Sequence, residues 1–201
     1  IKSYKMRVLH IINSLGTGGS ETILYSLIKN DIKNFHTIIL ISEKGTIFKN
    51  FKQLQNCKVL DFSNLIFFKK IIKIYKFIKD AKELNKQITL NSWMYKSHIY
   101  SFIVKFFISY QILIHIRHCG ITQEHLLINK IPIYITLYLS KLFANKIIYN
   151  SYFSKFNHER IGYPKKMGIV IQNGYNKIKK IDKQKSSRFK NKIVIGMLAR
   201  K

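Results

Sequence analysis

The segment VLHIINSLGTGGSETILYSLI, residues 8–28, runs from a β-branched apolar stretch through three glycines into an amphipathic helical pattern. In an open α/β sheet, the carboxyl ends of the parallel strands lie at the edge where ligands bind. Glycines there allow a positive φ and a close approach of the backbone to a bulky group. The following helix directs unpaired N–H groups and its positive dipole end to the same place. The segment therefore predicts a loop that favours phosphate or another anion.

This loop has a second interpretation. Its GTGGSE sequence lacks the spacing of a dinucleotide-binding fingerprint and carries no P-loop lysine. A tight turn that needs Gly16, Gly18 and Gly19, followed by Ser20 as an ordinary helix cap, would give the same pattern. The rest of the chain must decide between the two interpretations.

Short β-rich runs alternate with helical patterns along the chain. Most of the runs are continuously apolar, which is typical of strands covered on both faces. The predicted strands span 6–12, 36–42, 57–62, 87–92, 111–116, 146–151 and 168–172, and the predicted helices span 20–30, 64–84, 95–107, 124–144 and 152–161. This alternation implies right-handed crossovers. We predict an α/β fold with a Rossmann-like parallel sheet and helices on both faces.

The chain is predicted to hold one domain and the start of another. Residues 1–176 form the first domain, and residues 177–191 are polar and strongly basic, as in a linker. Residues 192–201 contain a fresh apolar run, IVIGMLARK, which reads as the first strand of a second domain. We therefore expect the chain to be a fragment of a longer protein.

The composition is strongly basic but does not favour nucleic acid as a partner. The formal net charge is +27, and only five of the 36 basic residues are arginine. Nucleic-acid-binding surfaces concentrate arginine, whose planar fork reads phosphates and bases bidentately. Lysine is instead spread along the whole chain, so we predict no nucleic-acid partner.

Cysteine usage and hydropathy favour a cytoplasmic protein. Cys57 and Cys119 lie far apart with no paired spacing, so neither a disulfide framework nor a zinc site is predicted. No cleavable signal pattern opens the chain. The longest apolar zone, residues 99–116, is interrupted by Lys105 and Gln111 and is better divided into a buried helix and a strand than taken as a membrane span.

Five blocks of the sequence resemble the amino-terminal half of the GT-B glycosyltransferases of family four, in their order and near their spacing. The blocks are VLHIINSLGTGGSE (8–21), NSWMYKSHIYSF (91–102), ILIHIRHCGI (112–121), IIYNSYFSKFNHERIGYPKKMGIVIQNGYN (147–176) and IVIGMLAR (193–200). Bacterial enzymes of this type build capsule, lipopolysaccharide and other surface glycans. The resemblance implies a cleft between two Rossmann-like halves, with a nucleotide-sugar held mainly by the carboxyl-terminal half.

The resemblance also implies donor-side residues. Gly16, Gly18 and Gly19 would approach the diphosphate and the transferred sugar, and Arg200 matches the arginine of a GxxxR segment that contacts the diphosphate. The family's two glutamates near the donor belong to the second domain. No catalytic residue is therefore assigned, and the chain alone is expected to be inactive. No D-x-D pair is present to hold a divalent ion, so we expect no metal and no cofactor besides the nucleotide-sugar substrate.

Polar residues near the ends of other predicted strands are candidates for the acceptor side. Arg117 and His118 follow the fifth predicted strand, and Asn173 lies in a turn after the last strand of the first domain. His98 lies close to Lys96, a position where related sequences commonly carry histidine. The structural alternatives are an ion pair with an acid for Arg117, a partly buried helical histidine for His98 and plain turn chemistry for Asn173.

The helix predicted over residues 64–84 carries Lys69, Lys73 and Lys76 at helical spacing in a largely apolar sequence. A solvated outer face is one interpretation of these lysines. Contact with an anionic lipid surface is the other, and it would suit an enzyme whose acceptor is a lipid-linked glycan.

Two functions from different classes follow. The first is a metal-independent, hexosyltransferase-type GT-B glycosyltransferase that transfers a sugar, with retention, from a nucleotide-sugar to an acceptor hydroxyl in surface polysaccharide, capsule or lipopolysaccharide biosynthesis. Its partners would be the donor, a glycan or lipid-linked acceptor and an anionic membrane surface. It would lie in the cytoplasm or peripherally on the inner face of the plasma membrane. The alternative is a non-catalytic Rossmann-like module that binds a nucleotide or a polyanion.

Overall fold

The computed structural model describes residues 6–84, 88–119 and 127–174. Strands and helices alternate through these ranges, as the hydropathy pattern predicts. The strands are β1 (Arg7–Ser14), β2 (Phe35–Glu43), β3 (Cys57–Asp61), β4 (Thr89–Trp93), β5 (Gln111–Ile116), β6 (Lys146–Tyr149) and β7 (Gly168–Val170). The helices are α1 (Gly19–Asn30), α2 (Phe48–Lys52), α3 (Phe67–Leu84), α4 (Tyr95–Phe107), α5 (Leu127–Phe143) and α6 (Tyr152–Arg160), and a short 3₁₀ helix spans Lys165–Met167.

The strands form one parallel sheet in the order β3-β2-β1-β4-β5-β6-β7. The strand order reverses between β1 and β4, which lie side by side. In sheets of this kind, ligands bind at the carboxyl edge beside such a reversal. The predicted α/β fold, a Rossmann-like parallel sheet with helices on both faces, is confirmed.

Two hydrophobic clusters mark the two faces of the sheet. On one face, Leu24 and Ile28 of α1 and Phe51 of α2 pack on β1 and β2. On the other face, α3, α4 and α5 supply Ile74, Ile78, Phe102, Val104, Ile133 and Leu137. Each face of the central sheet is therefore covered by its own set of helices.

Coverage on both faces explains why β1 is apolar almost throughout. Leu9 and Ile11 belong to the cluster with α3–α5, whereas Ile12 belongs to the cluster with α1 and α2. Because successive side chains of a strand point to opposite faces, both sets must be apolar. His10 is the polar exception within the buried run.

A strained residue joins β4 to α4 at the carboxyl edge. Met94 has a φ of 67° and a ψ of 162°, a backbone conformation that residues other than glycine seldom adopt. Its N–H donates to the His115 carbonyl, and its own carbonyl accepts from the His98 N–H, both at 3.1 Å. Backbone hydrogen bonds from two elements thus hold Met94 in place.

The predicted elements agree with the observed ones to within a few residues. α4 and β5 have the predicted bounds, and they divide the apolar zone 99–116 as expected. The five-residue helix α2 was not predicted, because so short a segment shows no helical periodicity. The predicted linker 177–191 and the strand within 192–201 lie outside the described residues. In the described part of the chain, no helix combines the length and the hydropathy that a membrane span requires.

Candidate functional site

The glycine loop, residues 15–19, lies at the carboxyl edge of the sheet where β1 passes into α1. Leu15 is buried at its start, whereas Thr17 and Gly19 are exposed. A Cβ atom built on Gly16 or Gly19 would meet no other atom within 4 Å. The loop is therefore open to solvent, as an anion-binding loop requires.

The start of α1 presents unpaired backbone donors beside this loop. Gly18 is the N-cap, and no side chain caps the helix. The first helical bond runs from the Thr22 N–H to the Gly18 carbonyl (3.0 Å), so the N–H groups of the first three helical residues lack a helical acceptor. The alternative in which Ser20 caps the helix is wrong, because Ser20 lies inside the first turn and its hydroxyl donates to Glu21 (2.7 Å).

Glu21 places a carboxylate at the start of α1, a feature that was not predicted from the sequence. The Ser14 hydroxyl donates to its Oε1 (2.9 Å) and the Ser20 hydroxyl to its Oε2 (2.7 Å). A Cβ on Gly18 would lie 2.4 Å from Oε2, so glycine at this position gives the carboxylate its room. Because the carboxylate takes up part of the positive field of the helix start, an anion must approach over the open outer side of the loop.

The glycine loop does not use the positive φ that its glycines allow. Gly16, Gly18 and Gly19 all lack a positive φ, whereas Gly45, in the loop after β2, has a φ of 61°. A Cβ on Gly45 would lie 2.4 Å from the backbone nitrogen of Gly16. The Leu15 N–H also donates to the Glu43 carbonyl (3.1 Å). The loop after β2 therefore braces the glycine loop.

Gly45→Ala is expected to lower the free energy of unfolding by about 2 kcal/mol, because alanine disfavours a positive φ and its Cβ would collide with backbone atoms. Gly16→Ala is the matched control, since its Cβ has space, and we expect a change below about 0.5 kcal/mol. Urea unfolding at neutral pH measures both variants. Equal losses would contradict the bracing role of Gly45.

The fold brings together two of the predicted acceptor-side residues, Arg117 and Asn173. Arg117 follows β5 and Asn173 lies beyond β7, and Nη1 of Arg117 donates to Oδ1 of Asn173. The guanidinium lies over the Trp93 ring, 5.2 Å from its centroid, which is a favourable cation–π geometry. Among the described residues no acid pairs with Arg117, so the ion-pair alternative is not observed.

The Arg117 guanidinium is only partly buried at this edge. Its Nε is buried and has no hydrogen-bond partner among the described residues. Burial lowers the pKa of Arg117, but a guanidinium remains a cation at neutral pH. The edge beside β5 therefore offers a charged donor to a hydroxyl, a carboxylate or a phosphate.

A chain of side chains that starts at Trp93 and ends at the partly exposed Asp31, the Trp93 relay, fixes the ring on which Arg117 rests. Trp93 Nε1 donates to Nδ1 of His10 (3.2 Å), His10 Nε2 lies 3.0 Å from Nδ1 of His36, and His36 Nε2 lies 3.2 Å from the Asp31 carboxylate. Because an indole N–H can only donate, His10 must accept at Nδ1 and donate from Nε2. The relay was not predicted, since its members lie far apart in the sequence.

His115 also contacts the Trp93 ring. Its ring stacks on the indole with centroids 4.2 Å apart, and its Nε2 lies 3.0 Å from Oδ1 of Asn91. Burial lowers the pKa of His115 to about 3, with a further contribution from the charge of Arg117. The imidazole beside the guanidinium is therefore neutral at physiological pH.

His98 lies in the core and not at the edge. Its side chain is fully buried, and its Nδ1 lies 3.0 Å from the Ser92 hydroxyl oxygen. Burial lowers its pKa to about 3, so the imidazole is neutral. This placement agrees with the structural alternative for His98, since contact with an acceptor would require the core to open.

Of the remaining predicted site residues, His118 lies at the carboxyl edge and Arg200 lies outside the described residues. His118 is half-buried at the edge, and its carbonyl accepts a hydrogen bond from the Ser154 hydroxyl (2.6 Å), which ties the end of β5 to α6. Arg200 lies outside the described residues, so its approach to the diphosphate stays a prediction. Within the described ranges, no three His, Cys, Asp or Glu side chains gather as a metal site needs. The metal-independent mechanism likewise stays a prediction from the sequence.

The chain is similar to several solved structures. Anabaena HepE in complex with UDP matches 85% of this chain and 45% of its own, with a TM-score of 0.68 and 19% identity. WaaB, a lipopolysaccharide outer core galactosyltransferase, matches 85% of this chain and 46% of its own, with a TM-score of 0.55 and 15% identity. The UDP-GlcNAc 2-epimerase from Methanocaldococcus jannaschii matches 84% of this chain and 45% of its own, with a TM-score of 0.54 and 15% identity.

The fold is that of the Rossmann-like amino-terminal half of GT-B enzymes. The chain spans less than half the length of these proteins. At such low identity the similarity concerns the fold alone. No protein-family model matches the sequence, and no curated protein matches it. Membership of family four therefore stays a prediction.

Proposed function

We propose that this chain is the amino-terminal half of a glycosyltransferase that uses a nucleotide-sugar donor. The observation that carries the proposal is the open glycine loop, beside which the first three N–H groups of α1 have no acceptor within the helix. Such a helix start favours a diphosphate. The similarity in fold to HepE, which was solved with UDP and with UDP-glucose, supports a uridine diphosphate sugar as the donor.

On this proposal the glycine loop contacts the donor diphosphate from the amino-terminal side of the cleft. The absence of side chains at Gly16 and Gly19 lets the ligand approach the backbone closely. Arg200 would add a cation from the second domain. Backbone N–H groups, the helix dipole and basic side chains would then meet the charge of the leaving group without a metal ion.

The acceptor side of the proposed enzyme is the Arg117–Asn173 pair, with His118 next to it. Asn173 holds the guanidinium on the Trp93 ring, so a charged donor is oriented before an acceptor arrives. The proposed reaction is transfer of a hexosyl group to an acceptor hydroxyl with retention, in surface polysaccharide or lipopolysaccharide biosynthesis. The similarity in fold to WaaB supports this class of product.

The fold also occurs in UDP-GlcNAc 2-epimerases, so the reaction type needs its own test. A protein that contains both halves should release UDP from a UDP-sugar only when a glycan acceptor is supplied. A change in the configuration of the sugar without any acceptor would favour epimerisation instead. Binding without either reaction would favour a non-catalytic nucleotide-binding module.

Gly19→Glu is expected to weaken the binding of UDP by at least about tenfold, because it adds a carboxylate to the outer side of the glycine loop. The variant should fold normally, since a Cβ at Gly19 has free space and an acid in the first helical turn is favourable. Amide NMR titration of a protein that contains both halves with UDP measures the affinity. UDP should change the chemical shifts of the amides in the glycine loop, whereas uridine, which lacks phosphate, should leave those chemical shifts unchanged.

Asn30→Glu is the matched control for this experiment. It changes the net charge equally at an exposed position on the far end of α1, and it should leave the affinity for UDP unchanged. If Gly19→Glu binds UDP as well as the parent, the glycine loop is not the donor site. If neither UDP, GDP nor ADP binds to a protein that contains both halves, the proposed function itself is contradicted.

A further inference from the structure

α5 is apolar on the side that faces away from the core. Ile131, Tyr134, Ile135, Tyr138 and Leu142 are all exposed. They recur three or four residues apart, so they form one stripe along the helix, which we call the α5 stripe. The opposite side carries the buried Ile133 and Leu137. A helix on a solvated surface normally presents polar residues outward, so within the part of the chain that the structure describes the α5 stripe is an uncovered apolar face.

The apolar surface continues from α5 onto the end of α4. Phe106 and Phe107 are exposed in the last turn of α4. Phe106 packs edge-on against Phe143 of α5, with centroids 5.9 Å apart. The α5 stripe is therefore part of a larger patch that two neighbouring helices share.

The helices around this patch carry positive charge. Lys69, Lys73 and Lys76 are all exposed on α3, which packs against α4 through Phe67 and Tyr100 (5.1 Å). Lys141 lies within α5 itself, with its ammonium 5.6 Å from the ring centroid of Tyr138. Neither α4 nor α5 contains an aspartate or a glutamate. Lys141 therefore borders the α5 stripe directly, and the exposed α3 lysines lie on the helix that packs against α4.

We propose that the α5 stripe and Phe106–Phe107 bind the interface of an anionic lipid bilayer, with α5 lying parallel to the membrane plane. Tyrosines and aliphatic side chains would enter the headgroup region, and the lysines would contact lipid phosphates. On this proposal, the lysines of α3 that were predicted to face lipid and the exposed apolar residues of α4 and α5 contact the same membrane. The inference does not rest on nucleotide-sugar binding, which Gly19→Glu tests separately.

Charge complementarity favours a bilayer over a second copy of the chain. Each copy carries a formal net charge of +27, so pairing two such surfaces would bring lysines together. An anionic bilayer offers an apolar layer and negative charge at once. A second copy of the chain could also bind the α5 stripe, and the experiments below distinguish such a dimer from binding to lipid.

Sedimentation of the whole 201-residue chain with vesicles tests the proposal. We expect at least about tenfold stronger partitioning onto phosphatidylcholine vesicles that contain phosphatidylglycerol than onto pure phosphatidylcholine, and a weaker preference at high salt. Equal pelleting with neutral and anionic vesicles would overturn the proposal.

A pair of substitutions at exposed positions tests the α5 stripe itself. Leu142→Gln should reduce partitioning about fivefold, because the side chain, which is 75% exposed, would lose its contact with lipid. Ile32→Gln is the matched control, since Ile32 is 73% exposed and lies between α1 and β2. Because both side chains are exposed, both variants should keep the circular dichroism spectrum of the parent. Equal partitioning of the two variants would overturn the assignment of the α5 stripe.

A second pair of variants tests the lysines. Lys69→Gln, Lys73→Gln and Lys76→Gln together should abolish most of the preference for anionic vesicles. The same change at Lys33, Lys49 and Lys58, which are exposed elsewhere, alters the net charge equally. This control variant should keep the preference for anionic vesicles. Light scattering should show a monomer for the parent chain, and a dimer that Leu142→Gln dissociates would overturn the lipid assignment in favour of a second copy.

Discussion

Lowering the pH from 7 to 5 should reduce the free energy of unfolding by at least about 4 kcal/mol, of which each of two buried histidines contributes about 2 kcal/mol. Burial lowers the pKa of both His98 and His115 to about 3, whereas an unfolded histidine titrates near pH 6.5. Between these values the unfolded chain binds more protons than the folded one, so stability falls with the pH. The contribution of these two histidines to the free energy of unfolding is retained above about pH 6.5 and is lost progressively as the pH falls toward 3.

The other buried histidines act in the same direction. Burial lowers the pKa of His10, His36 and His158 as well, although the Asp31 carboxylate opposes the shift of His36. Most carboxyl groups titrate below this window, near pH 4. The loss between pH 7 and 5 should therefore report mainly on histidine.

Urea unfolding at half-unit steps of pH measures this effect. His115→Asn, which cannot titrate, should be less stable at pH 7 but should show a shallower decline toward pH 5. A stability that stays constant between pH 7 and 5 in the parent would contradict the neutral, buried state of these imidazoles.

Trp93→Ala is expected to lower the free energy of unfolding by roughly 3–5 kcal/mol, the range for removal of a large aromatic side chain from a core. Trp93 is fully buried in the cluster between β1, β4 and α1. Its loss would leave a cavity, expose the face of His115 and remove the donor to His10. The Arg117 guanidinium would also lose the ring beneath it.

Trp93→Phe separates packing from hydrogen bonding. Phenylalanine keeps most of the ring but cannot donate, so Nδ1 of His10 would stay buried without a partner, at a cost of about 1–3 kcal/mol. Tyr152→Ala is the control, since Tyr152 is largely exposed on α6 and should change stability by no more than about 0.5 kcal/mol. Urea unfolding at pH 7 measures all three. A loss below about 1 kcal/mol for Trp93→Ala would show that the Trp93 relay does not hold the edge together.

The order of elements was predictable because hydropathy period and glycine placement are local properties. The bounds of α4 and β5 follow from the apolar run 99–116, which Lys105 and Gln111 interrupt. The parallel arrangement follows from strands that are apolar on both faces. The glycine loop was likewise predictable, since it falls where a strand passes directly into a helix.

The details of the candidate site were not predictable in the same way. Hydropathy shows that a histidine lies in an apolar helix, but not whether the helix turns it inward, as it does His98. The positive φ lies at Gly45 because the loop after β2 must pass close to the backbone of Gly16, and that contact joins two loops nearly thirty residues apart.

The sequence by itself determined the α/β alternation, the parallel sheet and the position of the glycine loop, because each depends on residues that are neighbours along the chain. Only the tertiary structure decided that Arg117 rests on Trp93 and donates to Asn173, that a relay through His10 and His36 holds the indole, and that the α5 stripe points outward. These features depend on which elements pack against one another. Side chains from separate strands meet only once the sheet order is formed, and a helix has an outer face only once its inner face is buried.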